Sequence, residues 1–135
     1  MHRPQVLVVD DEAFIREALC RTLIDEGFGV IEAASGADAL CVLNACQPFD
    51  ALVTDVRLGP GPDGWAVARA ARQVRPLCPV IYMSGYTPGE MDKVPRSVFL
   101  DKSLRPSELC WALTQLIRIG ALRCSVRAEA EQGHG

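Results

Sequence analysis

The chain has 135 residues, 49% of them apolar and 23% charged, with a formal net charge of -3. These proportions suit one compact domain with a single core rather than a disordered chain. Scattered Lys and Arg argue against direct nucleic-acid binding, no apolar run approaches the roughly 20 residues that cross a bilayer, and the opening "MHRPQVLVVDD" turns acidic too early for a signal peptide, so a cytoplasmic location is expected.

"QVLVV", residues 5–9, is a short Val-rich run that suits a strand buried on both faces. From Glu12 to Glu26 the period changes: Phe14, Ile15, Ala18, Leu19, Leu23 and Ile24 fall at helical spacing, and Gly27 supplies a stop. The alternation then recurs. "GVIEAA" reads as a second strand, Ser35 as the N-cap of a helix over "GADALCVLNAC", and "DALVTD", Asp50 to Asp55, as a third strand.

The stretch "VRLGPGPDG" is too rich in Gly and Pro for regular structure, and "WAVARAARQVR" follows it as a helix. "PVIYMS" is the fourth strand. Between Gly85 and Ser97, Pro88, Gly89 and Pro95 leave room for only a short or irregular helix. "VFLDK" is the fifth strand, and "RPSELCWALTQLIRIG" the final helix, with Pro106 near its first turn and Ser107 as a possible cap.

Alternating strands and helices imply a parallel sheet covered on both faces, since right-handed crossovers place the helices there. The expected architecture is a five-stranded, doubly wound α/β domain over residues 1–120, followed by a flexible tail over 121–135. Six cysteines, at 20, 41, 46, 78, 110 and 124, include no CxxC pair and stand mostly in amphipathic patterns, which favours reduced core fillers over a disulfide framework or a zinc site. Trp65 and Trp111 read as core or edge packing, and His2 and His134 stand too near the termini to act as ligands or bases.

Ligands in such sheets bind beyond the carboxyl ends of the strands. Asp10 and Asp11 end the first strand, Asp55 the third, Ser84 the fourth and Lys102 the fifth. Unit charges ~4 Å apart repel by roughly 4 kcal/mol near a protein surface, so gathered carboxylates call for a cation. Three carboxylates, a hydroxyl and an ammonium suit a hard divalent ion beside a phosphoryl group, and Mg2+, which keeps several waters and takes few carboxylates, is the expected ion.

"VLVVDDE", "LVTDVRL", "YMSGY" and "FLDKS", in this order at strand ends, resemble the receiver domain of bacterial two-component response regulators, the CheY-like fold, from about Gln5 to Ile119. The resemblance implies that Asp55 is the phosphoacceptor, that Asp11 binds Mg2+ directly, that Asp10 acts largely through metal-bound water, and that the Arg57 backbone carbonyl completes the ligands. It places Ser84 and Lys102 on the phosphoryl oxygens, and Phe99 and Tyr86 as switch candidates. Arg57 and Tyr86 also match positions that affect access of hydrolytic water.

Glu12 reads instead as the opening of the first helix, where a carboxylate favours the dipole. Two departures from the family pattern stand out. Ser103 replaces the usual proline after the lysine, and a non-proline cis bond costs ~2.5–4 kcal/mol, so the family's cis peptide is not expected there. The loop after Asp55 carries one extra residue.

The implied partners are a sensor histidine kinase or phosphotransfer protein upstream and a protein partner downstream. The chain fits a stand-alone receiver or one excised from a hybrid kinase. Two other classes compete. A Mg2+-dependent phosphohydrolase of the haloacid-dehalogenase type would carry its nucleophile on the first strand with a second acid two residues on, where Glu12 stands, and a receiver-like interaction module would never be phosphorylated.

Overall fold

In the computed structural model, residues 3–84, 93–102, 105 and 107–119 are described. Five parallel strands form one sheet: β1 (Gln5–Val9), β2 (Gly29–Ala33), β3 (Ala51–Asp55), β4 (Val80–Ser84) and β5 (Val98–Asp101), in the spatial order β2-β1-β3-β4-β5. Helices α1 (Ala13–Asp25), α2 (Gly36–Asn44), α3 (Gly64–Val74) and α4 (107–119) surround it. This is the expected doubly wound order, which reverses between β1 and β3 and opens a crevice at their carboxyl ends.

The central strands β1, β3 and β4 are buried almost throughout, whereas the edge strands β2 and β5 are mostly half-buried. Alternation along β1 divides the core. Leu7 and Val9 pack with Ala39 and Leu43 of α2 and with Trp65, Val67, Ala68 and Ala71 of α3; Val6 and Val8 pack with Cys20 and Leu23 of α1 and with Leu109, Cys110 and Leu113 of α4.

Helix starts follow local chemistry. The Ser35 side chain accepts the Asp38 amide at 3.0 Å, and Asp63 accepts the Ala66 amide at 2.9 Å, each satisfying an orphan donor of a first turn. Gly27 ends α1 in the left-handed region, at φ 97°. Ser107 stands inside α4 rather than capping it, because the Arg105 carbonyl already accepts the Glu108 and Leu109 amides.

Two apolar faces differ from the sequence reading. Phe14 is 87% exposed and Ile24 52%. The stripe of α1 that meets the sheet runs through Arg16, Cys20 and Leu23, four and three residues apart, which turns Phe14 to the opposite side. Likewise Leu109, Cys110 and Leu113 face the sheet and leave Trp111 68% exposed, whereas Trp65 is in the core. Of the cysteines, Cys20, Cys78 and Cys110 are buried as expected and Cys41 and Cys46 are exposed, all as free thiols; Cys124 lies outside the described residues.

Most of the segment expected to hold a short or irregular helix, residues 85–92, and the expected tail, 121–135, also lie outside the described residues. Residues 93–97 form a turn fixed from two sides. Arg72 of α3 donates to the Pro95 carbonyl at 2.7 Å and the Arg96 carbonyl at 3.2 Å, and the Val94 amide donates to the buried Tyr82 hydroxyl at 3.1 Å.

Candidate functional site

Register brings the predicted residues to one edge. Val9 pairs with Ala33 on one side and Thr54 on the other, Asp55 pairs with Met83, and Ser84 pairs with Asp101. Asp10, Asp55, Ser84 and Lys102 therefore leave their strands at one level. Carboxylate oxygens of Asp10, Asp11 and Asp55 lie within 4.8 Å of one another.

Lys102 enters this cluster from β5. Its Nζ lies 2.8 Å from Asp55 Oδ2, 3.3 Å from Asp10 Oδ2 and 3.7 Å from Glu12 Oε1. The side chains of Asp10 and Asp55 are only 3% and 9% exposed, so the ammonium offsets charge that water reaches poorly. Burial pushes the Asp10 carboxyl above its ordinary range, with the Asp55 charge adding to the rise, against the opposing effects of the Glu12 amide and Lys102. Burial pulls Lys102 down, but its bond to Asp55 and the charges of Asp10 and Asp55 outweigh that and leave it raised.

Two of these carboxylates, Asp10 and Asp55, are also anchored by main chain. Asp10 Oδ1 accepts the Glu12 amide at 2.9 Å, and Asp55 Oδ1 accepts the Arg57 amide at 3.3 Å. The second bond holds the Arg57 main chain beside the cluster. Ser84 is buried, and its carbonyl accepts the Lys102 amide at 2.9 Å, tying the fourth and fifth strand ends together.

The donor set fits Mg2+. An octahedral ion with bonds of about 2.1 Å keeps its ligand oxygens no more than roughly 4.2 Å apart, and the three carboxylates already bring oxygens within 4.8 Å of one another. The donors are hard oxygens, and only part of a six-fold shell is supplied, which leaves room for water and phosphate oxygens.

A response regulator receiver domain model matches residues 6–114. The chain belongs to the response regulator receiver family of two-component systems. It is 36% identical over 127 residues to the transcriptional regulatory protein AruR of Pseudomonas aeruginosa, covering 85% of this chain and 50% of that protein. It is 34% identical over 114 residues to the DNA-binding transcriptional regulator NtrC of Escherichia coli, covering 77% of this chain and 24% of NtrC. The receiver thus spans half or less of these curated relatives.

Among solved structures, a response regulator receiver protein from Sinorhizobium medicae superposes with a TM-score of 0.85 at 37% identity, covering 88% of this chain and 98% of that one. The receiver domain of the hybrid histidine kinase CckA does so at 0.72 and 31%, covering 84% and 98%.

Phe99 packs against Trp65 and Tyr82, with ring centroids 6.3 Å from each; Tyr86 and Ser103 lie outside the described residues. Sequence reasoning missed the part played by two glycines. An added Cβ on Gly64 would stand 2.1 Å from the Asp55 carbonyl oxygen, and one on Gly59 3.8 Å from Asp11 Oδ2, so the loop after β3 folds back against both acids. The signal for Gly64 was its place directly after the capping Asp63, where helix propensity alone would prefer another residue.

Proposed function

We propose that this receiver, acting over residues 1–120, takes a phosphoryl group onto Asp55 from a sensor histidine kinase or phosphotransfer protein. The observation that carries the reading is the 2.8 Å contact of Lys102 Nζ with Asp55 Oδ2 inside a cluster of three carboxylates. A lone aspartate would need no such company.

Phosphoryl transfer asks for in-line positioning and neutralisation of the equatorial oxygens. An Asp55 carboxylate oxygen attacks phosphorus and forms the new P–O bond, while the bond from phosphorus to the donor's leaving atom breaks. Lys102 stays with the incoming negative charge, and the buried Ser84 hydroxyl donates to a phosphoryl oxygen. Mg2+ held by Asp10, Asp11, Asp55 and the Arg57 carbonyl would neutralise the remaining charge. Asp10 would contribute largely through water in that shell.

Phosphorylation then shifts a two-state balance at the β4–β5 edge, where Phe99 rests on Tyr82 and Trp65. Tyr86 is the second switch residue in this reading. Output passes through a downstream protein partner rather than nucleic acid or membrane, and a cytoplasmic location goes with that role. No separate catalytic activity is proposed. The reading holds equally for a stand-alone receiver and for one within a hybrid kinase, the setting of the CckA receiver domain that shares the fold.

The test is incubation with acetyl phosphate and Mg2+. One base-labile phosphoryl adduct per chain, lost in Asp55→Asn, is expected. Rapid turnover of many phosphate esters would indicate a hydrolase instead, and neither adduct nor turnover would indicate an interaction module.

A further inference from the structure

The turn between β1 and α1 must aim two consecutive carboxylates, Asp10 and Asp11, at one point. Its main chain is held from both sides. The Asp10 amide donates to the Ala33 carbonyl at 3.2 Å, at the end of β2. The Asp10 carbonyl accepts from Arg16 Nη1 at 2.8 Å, and Arg16 Nε lies 3.3 Å from Glu32 Oε1. Glu32 pairs in register with Val8 on β1, so the guanidinium bridges the first turns of α1 to the neighbouring strand.

A long cation on a helix ordinarily reaches for solvent. Arg16 instead occupies the sheet-facing stripe of α1, one turn before Cys20, and its side chain is only 15% exposed. Because a peptide unit is planar, the direction of the Asp10 carbonyl fixes the plane that continues into the Asp11 nitrogen. The Asp10 side chain has its own restraints, from the Glu12 amide and Lys102. Asp11 is exposed and depends far more on its backbone for its aim.

We infer that Arg16 is a positioning residue of the metal site: by gripping the Asp10 carbonyl and bracing on Glu32, it sets the Asp10–Asp11 peptide plane and so directs both carboxylates. The inference rests on the reading of Asp10 and Asp11 as Mg2+ ligands. Arg16 touches neither the ion nor the phosphoryl group. A purely structural ion pair with Glu32 would affect folding while leaving the folded protein's affinity for Mg2+ intact.

The experiment is calorimetric titration of the whole chain with Mg2+, alongside thermal unfolding in chelator. Wild type binds, and Asp11→Asn does not. Arg16→Met, which keeps the aliphatic stem and removes the donors, is expected to bind about tenfold more weakly, the usual scale for losing an outer-shell partner. Arg16→Lys, which can still donate to the carbonyl, should recover most of that loss.

Equal affinity in Arg16→Met and wild type overturns the inference and spares the metal reading. Absence of Mg2+ binding in wild type overturns both. Should Arg16→Met fail to fold, Glu32→Ala decides: loosening the brace should weaken Mg2+ binding measurably, and unchanged affinity counts against the positioning role.

Discussion

Gly64→Ala sets two effects of opposite sign against each other. As the first residue of α3, position 64 would gain from alanine up to about 1 kcal/mol of helix propensity. The new Cβ, however, would lie 2.1 Å from the Asp55 carbonyl oxygen, 2.8 Å from Val56 Cα and 2.9 Å from the Asp55 carbonyl carbon. Ordinary contact begins at 3.4 Å, so the nearest pair is short by about 1.3 Å, and all three neighbours are backbone rather than a side-chain end that could swing away.

Either α3 withdraws, straining the 2.8 Å bond from the Gly64 amide to the Val56 carbonyl, or the end of β3 moves and takes Asp55 with it. Overpacking of this kind costs about 1–3 kcal/mol. With the full propensity gain set against it, the net loss reaches about 2 kcal/mol at the upper end, or roughly 8 °C in Tm for a domain of this size. Thermal unfolding in chelator measures that loss, and the rate of adduct formation with acetyl phosphate, taken well below Tm, reports displacement of Asp55. A variant as stable as wild type and phosphorylated at the same rate would refute the argument that this close approach positions the acid.

Asp10 makes apo stability depend on pH. Its folded carboxyl titrates above the ordinary value near 3.8, chiefly through burial, so between those two values the folded state holds more protons than the unfolded one and stability falls as pH rises. Asp10→Asn in chelator should accordingly be more stable than wild type at neutral pH, with the gap closing as pH falls toward 4; a gap that ignores pH would count against the shift. Tyr82→Phe removes the acceptor of the buried Val94 amide and should cost about 1–3 kcal/mol in chemical denaturation. An unchanged midpoint would mean that the amide finds another partner.

Much of this protein was readable along the chain because its central strands are buried on both faces. Such strands appear as unbroken apolar runs, so "QVLVV", "ALVTD" and "VIYMS" announced themselves, and the polar residue ending each run marked the carboxyl edge of the sheet. Local caps were equally legible, Ser35 being held by its own helix.

Helix faces were not, since periodicity gives a repeat without saying which side meets the sheet. Phe14 and Trp111 proved to face outward, and a cation, Arg16, took a sheet-facing place on α1. The sequence by itself determined the order of elements and the acids at their ends, because burial and capping are written into neighbouring residues. Only the tertiary structure decided the 2.8 Å approach of Lys102 to Asp55, the grip of Arg16 on the Asp10 carbonyl and the need for glycine at 64. Each joins residues that different elements bring together, and no spacing along a single segment encodes that distance.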